Sequence, residues 1–211
     1  MTQSVRVKIC GITSVADAQA AVAAGADAIG LVFYRNSPRA VSVAQAAEIA
    51  RSVGPFVTVV GLFVNEGSDA VFDILQQVPL HVLQFHGDED EDYCRQFQRP
   101  YLKALRMKEG LDVSATMAKF TSAVGILLDA YRPGVPGGTG DTFDWQRVPG
   151  ESLVPVVLAG GLTPKNVGQA IAATKIYGVD VSGGVEASPG QKDTDKMMAF
   201  VRHAKAEKSS E

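Results

Sequence analysis

Lys8 and Cys10 stand two residues apart in the apolar run "VRVKIC", and a glycine follows at position 11. In an extended strand that spacing puts both side chains on one face. A cation beside a thiol favours the thiolate, the form that takes up a proton. A lone cysteine at a strand end also serves as a small apolar filler. Lys8 has a second use, because a buried lysine needs a counter-charge; Asp180 in "YGVDVS" supplies one if the last strand lies beside the first. Asp129 ends the run "VGILLD". Partial burial there would keep a proton on the carboxyl for donation, whereas full exposure would make it a turn cap. Arg39, in the loop "NSPR", presents a guanidinium fork suited to a carboxylate, or simply meets solvent. His86 and Gln84 alternate in "HVLQFHG" and so face the same way, as ligand contacts or as hydrogen-bonded rim residues.

Two glycine pairs carry a further signal. Gly160 and Gly161 in "LAGGLTPKN", and Gly183 and Gly184 in "DVSGGVEASPG", each close an apolar run. Without side chains, their backbone N–H groups can approach phosphate oxygens closely. A short helix starting near Val185 would add its N-terminal dipole. Either pair alone reads as a sharp turn; two pairs on adjacent strand ends point to a phosphate.

The elements that must position these residues alternate along the whole chain. Short runs rich in Val, Ile and Leu, apolar on both faces, read as parallel strands: "VRVKIC", "DAIGLVF", "FVTVVGLFV", "HVLQF", "YLKALR", "VGILLD", "VPVVLAG" and "YGVDVS". Helical patterns lie between most of them. Ser14 with Asp17 resembles a capping box, Thr163–Pro164 reads as a cap before a first-turn proline, and Gly25 and Gly54 fall where left-handed C-caps belong. The stretch "DVSATMAKF" is poorly defined, and "AYRPGVPGGTGDTFDWQRVPGE" reads as a long loop with a turn at "FDWQ". Eight units averaging roughly 26 residues predict a single α/β domain over 1–211, a (β/α)8 TIM barrel, with a polar tail from about 206. An open doubly wound sheet is the competing architecture, but "CGITS" stands where a G-x-G-x-x-G would follow the first strand. In a barrel, Cys10, Arg39, His86, Asp129 and the two glycine pairs sit at strand C-termini, the functional face, with Lys8 in the floor beneath Cys10.

Composition narrows the partners. A net charge of -3 and a pI near 5.6 argue against a nucleic-acid surface. No apolar stretch is long enough to span a bilayer, and no basic-then-apolar leader opens the sequence. The 2 cysteines, Cys10 and Cys94, are too far apart to suggest a metal cluster or a disulfide framework, which fits a reducing, cytoplasmic compartment. The run "GDEDED" reads as a solvated helix start.

Taken in order, "KICGIT", "GLVFYRNSPR", "VGLFVN", "QFHGDE", "LLDA", "GGTGDTFDW", "LAGGLTPKNV", "GVDVSGGVE" and "GQKD" resemble the phosphoribosylanthranilate isomerase family of tryptophan biosynthesis over nearly the whole chain. The resemblance implies an Amadori rearrangement of N-(5-phosphoribosyl)anthranilate, with no metal or organic cofactor. It implies Cys10 as general base, Asp129 as general acid and Arg39 as holder of the anthranilate carboxylate. His86 and Asp180 match positions near the substrate, and the glycine loops would take the phosphate. The loop around "GGTG" is expected to close over the ligand. Two departures stand out: "VSGGVE" where the family often reads "VSSGVE", and "QFHG" for the usual "QLHG". Neither touches the acid–base pair. Another sugar-phosphate isomerase or epimerase, or a phosphometabolite sensor, would share the glycine loops without needing Cys10, Asp129 and Arg39 together. Monomer and homodimer are both compatible with the sequence.

Overall fold

Eight short strands pair in parallel, in sequence order, and the last returns to the first to close a barrel. They are β1 (Arg6–Cys10), β2 (Ala28–Val32), β3 (Thr58–Phe63), β4 (Val82–Phe85), β5 (Tyr101–Arg106), β6 (Gly125–Asp129), β7 (Val156–Leu158) and β8 (Gly178–Val181). This computed structural model describes residues 4–130 and 144–206. The segment "GGTG" expected to close over the ligand lies outside the described residues, as does most of the polar tail.

Alternation divides each strand between two environments. Outward residues such as Ile9, Ile29, Leu31, Val59, Phe63, Leu83 and Phe85 join the helices in one large core. Inward residues make two small apolar clusters, Ala104–Leu127–Val157–Ala159 and Cys10–Val32–Leu62. Lys8, Gln84 and Asp180 are buried polar residues of the same strands. The register that closes the barrel sets Lys8 opposite Asp180 and Cys10 opposite Gly30.

The covering helices are α1 (Val15–Ala23), α2 (Val43–Ser52), α3 (Ser68–Gln77), α4 (Glu91–Arg95), α5 (Val113–Met117), α6 (Val167–Ala173) and α7 (Thr194–Ala206). The weak "DVSATMAKF" pattern thus forms a short helix, capped by Asp112. The turn at "FDWQ" is a 3-10 turn over Trp145–Arg147. Gly25 and Gly54 have φ of 91° and 75°, as helix-ending glycines require. Ser14 accepts from the Asp17 amide, but Asp17 Oδ2 accepts from the Lys192 amide at 3.3 Å instead of completing a box. The complete capping box belongs to Ser42 and Gln45.

Three local expectations are corrected. Thr163 does cap the turn ahead of α6, its Oγ1 accepting from the Lys165 amide at 3.3 Å and its carbonyl from the Val167 amide at 3.1 Å, but regular helix begins only at Val167, after Asn166 has accepted from the Thr163 amide and donated to the Gly161 carbonyl. The helix expected near Val185 is a single 3-10 turn, Gly183–Val185, too short to carry a useful dipole. It leads into an antiparallel pair, β9 (Glu186–Ser188) and β10 (Gln191–Lys192). The acidic run is not wholly solvated: Glu89 is buried, paired with Lys103 at 2.7 Å and accepting from the Asn65 and Gly87 amides. Among the described residues no helix is long and apolar enough to cross a membrane.

Candidate active site

The C-terminal ends of the strands surround one pocket, lined by Cys10, Arg39, Gln84, His86, Asp129, Asp180 and both glycine pairs. Every candidate site residue from the sequence is therefore brought to a single site, with Lys8 buried behind it on β1. The strands fix each by register.

Cys10 is the last residue of β1, and its side chain shares the inner face with Lys8. Gly30, across the ladder, leaves the space they occupy. A Cβ there would meet Cys10 Sγ at 2.7 Å and Lys8 Nζ at 3.1 Å. Lys8 donates to Asp180 at 2.9 Å in a pair whose side chains are both more than nine-tenths buried. Burial works against the Lys8 ammonium, but the charges of Asp180 and Cys10 outweigh it and hold its pKa above the usual lysine range. Burial pushes the Cys10 thiol up; Lys8 pulls it back and Asp180 adds to the rise, leaving the net shift upward.

Asp129 ends β6 and is buried. Its Oδ2 lies 3.1 Å from His86 Nε2, and His86 Nδ1 lies 3.1 Å from Gln84 Nε2. Alternation in β4 aligns Gln84 and His86 inward, as the sequence pattern implies. Phe85 between them points outward into an aromatic cluster with Phe63, Tyr93, Phe97 and Tyr101. The phenylalanine departure is thus absorbed away from the pocket. Gly160, at φ 81°, keeps the other carboxyl oxygen clear: a Cβ there would come within 2.9 Å of Asp129 Oδ1 and 2.4 Å of the Ala130 amide nitrogen.

Gly161 follows at φ 62°, and Gly184 packs so tightly that a Cβ would sit 1.9 Å from the Leu162 carbonyl oxygen. The loops after β7 and β8 therefore interlock through glycine. Among the described residues no protein acceptor takes the amides of Gly160, Gly161, Gly183 or Gly184. Two buried side-chain atoms of the pocket also lack a partner there, Gln84 Oε1 and Ser182 Oγ. Buried polar atoms without a protein partner are available to water or to a ligand.

Arg39 does meet a carboxylate, but the protein supplies it. Nε and Nη2 each donate to Glu186 at 2.7 Å, in a bidentate pair. Glu186 also accepts from Lys192 Nζ at 2.9 Å. Burial raises Glu186, but Arg39 and Lys192 bring it below the usual carboxylate range. Sequence reasoning missed both Glu186 and Lys192. The signal was present in "GVE" and "GQKD", two short polar stretches flanking the same turn, but only the hairpin shows that they meet. Among the described residues no group of three or more His, Cys, Asp or Glu side chains is arranged to hold a metal ion.

This arrangement can donate a proton from one side of a bound molecule, accept one from another, and hold anions at two ends. The family model described as "N-(5'phosphoribosyl)anthranilate (PRA) isomerase" matches residues 7–203. A protein of Cellvibrio japonicus named N-(5'-phosphoribosyl)anthranilate isomerase is 63% identical over 199 residues, covering 94% of this chain and 93% of that one. A crystal structure of phosphoribosyl anthranilate isomerase with reduced 1-(o-carboxyphenylamino)-1-deoxyribulose 5-phosphate bound is 38% identical, with a TM-score of 0.81 over 95% of this chain and 98% of that one. Monomers generated from the dimeric enzyme of Thermotoga maritima are 36% identical, with a TM-score of 0.80 over 96% and 99%. The chain belongs to the N-(5'-phosphoribosyl)anthranilate isomerase family.

Proposed function

We propose that this pocket converts N-(5-phosphoribosyl)anthranilate to 1-(2-carboxyphenylamino)-1-deoxyribulose 5-phosphate, with Asp129 as general acid and Cys10 as general base. The observation that carries the reading is that Cys10 and Asp129, far apart in sequence, line one pocket with both glycine loops and Arg39.

The chemistry follows from the groups. Asp129 gives its proton to the furanose oxygen as the C1–O bond breaks, and the amine lone pair forms the C1=N bond of a Schiff base. That iminium acidifies the C2 proton, which the Cys10 thiolate removes while the electrons flow to nitrogen. The enolamine so formed takes a proton at C1, loses one from the C2 hydroxyl and becomes the ketone. His86, hydrogen-bonded to Asp129, keeps the acid oriented, and Asp180 keeps Lys8 charged beside the sulfur.

The phosphate is assigned to the free amides of Gly160, Gly161, Gly183 and Gly184, and the loss of a family hydroxyl at Gly183 removes at most one hydrogen bond, about 1 kcal/mol. The anthranilate carboxylate is assigned to Arg39, whose Nη1 is not engaged by Glu186. These groups belong to one chain, so monomer and homodimer suit the reaction equally. Cys10→Ser tests the assignment. Turnover should fall by about 10²–10⁴-fold while affinity for the reduced product analogue stays close to wild type. Retained turnover would remove Cys10 as base, and lost affinity would make it a packing residue.

A further inference from the structure

Lys192 lies on β10, outside the barrel, yet its side chain is 0% exposed. Its ammonium donates to Glu186 Oε1 at 2.9 Å and to the Ser182 carbonyl at 3.2 Å. The same carbonyl accepts from the Val185 amide at 3.4 Å. A trans peptide unit is planar, with its C=O and N–H on opposite sides. Fixing the Ser182 oxygen on the lysine therefore turns the Gly183 N–H away from it, and Gly183 lines the pocket. A cation on a carbonyl oxygen also polarises the amide and strengthens its N–H as a donor. On the other flank, Glu186 grips Arg39. Arg39 and Lys192 share this one carboxylate, so the cluster leaves a positive charge beside the anion site. Stability alone does not explain it, because well-packed apolar side chains usually do as well as a buried ion pair.

We propose that Lys192 is a positioning residue of the phosphate site: it orients and polarises the Ser182–Gly183 peptide without touching phosphate, and through Glu186 it ties that end of the pocket to Arg39. The inference rests on the phosphate reading of the glycine loops. It assigns a function to a buried lysine that the acid–base chemistry leaves unused.

The test is competitive inhibition by inorganic phosphate and, separately, by anthranilate, in wild type, Lys192→Met, Lys192→Gln and Lys192→Arg, together with KM and kcat. The inhibition constant for phosphate should rise about tenfold in Lys192→Met and about threefold in Lys192→Gln, which keeps a neutral donor. KM should rise with it, kcat should fall less, and Lys192→Arg should recover most of the loss. The constant for anthranilate should move less than about twofold, because Glu186 still holds Arg39. An unchanged phosphate constant in a folded Met or Gln variant overturns the proposal. Equal losses for both probes, or no recovery with arginine, also overturn it by marking a purely structural role. Failure of phosphate to compete in wild type would instead remove the phosphate reading itself. Should neither neutral variant fold, the wild-type Gly183 amide resonance decides: it should move downfield as phosphate is titrated, and an unmoved resonance overturns the proposal.

Discussion

Gly30 carries no chemistry, yet Gly30→Ala should damage catalysis. The new Cβ would stand 2.7 Å from Cys10 Sγ, 3.1 Å from Cys10 Cα and 3.1 Å from Lys8 Nζ. Carbon–sulfur contacts relax only near about 3.5–4.0 Å, so the sulfur must retreat by about 1 Å. It cannot rotate away freely, because Val32 and Leu62 pack beside it. A displacement of about 1 Å at a reacting atom costs about 10²-fold in rate. Overpacking at a buried site costs about 1–3 kcal/mol in stability. The assay is steady-state kinetics and urea unfolding on the variant and on Gly67→Ala, where a Cβ would meet nothing within 4 Å. The loss should fall on kcat rather than KM, and Gly67→Ala, which changes only the N-cap of α3, should keep wild-type kinetics. A Gly30→Ala enzyme with wild-type kcat would refute the placement of Cys10 as the proton acceptor.

Asp180→Asn should destabilise the fold by about 3–5 kcal/mol, the cost of stranding the buried Lys8 charge; a shift under 1 kcal/mol in urea unfolding would show that Lys8 is otherwise accommodated. Alkylation of Cys10 by iodoacetamide, followed in a Cys94→Ser background, should accelerate with pH along a titration centred above the ordinary thiol value of about 8.5, since burial favours the protonated sulfur. Lys8→Met should move that midpoint higher still, because Lys8 is the largest influence opposing the rise. A wild-type midpoint near neutrality would contradict the first statement, and an unchanged or lower midpoint in Lys8→Met the second. Gly184→Ala should weaken inorganic phosphate binding and destabilise the loops after β7 and β8 together, because the Leu162 carbonyl lies 1.9 Å from the new methyl; unchanged phosphate inhibition would disconnect the two loops.

The barrel was readable because its strands are apolar on both faces and recur at nearly even spacing, a local signal that closure does not disturb. The Lys8–Asp180 pair was readable for a related reason, since only closure of β8 on β1 gives a buried lysine a partner. What escaped depended on contacts remote in sequence. Glu89 reads as one more acid in a solvated run until Lys103, on the next strand, is seen beneath it. Nothing local marks Glu186 and Lys192 until the β9–β10 hairpin brings Glu186 to both Arg39 and Lys192. The onset of regular helix escaped as well: Thr163 caps the turn as its sequence implies, but Asn166, by holding the Gly161 carbonyl and the Thr163 amide, delays α6 to Val167.

The central claim is that Asp129 donates the proton that opens the sugar ring. Freshly generated phosphoribosylanthranilate, with its anthranilate fluorescence followed over time, gives the most direct measurement in wild type and in Asp129→Asn. Wild type should turn over, and the variant should lose about 10²–10⁴-fold in kcat while still binding the reduced product analogue. Comparable turnover by the two enzymes would contradict the account.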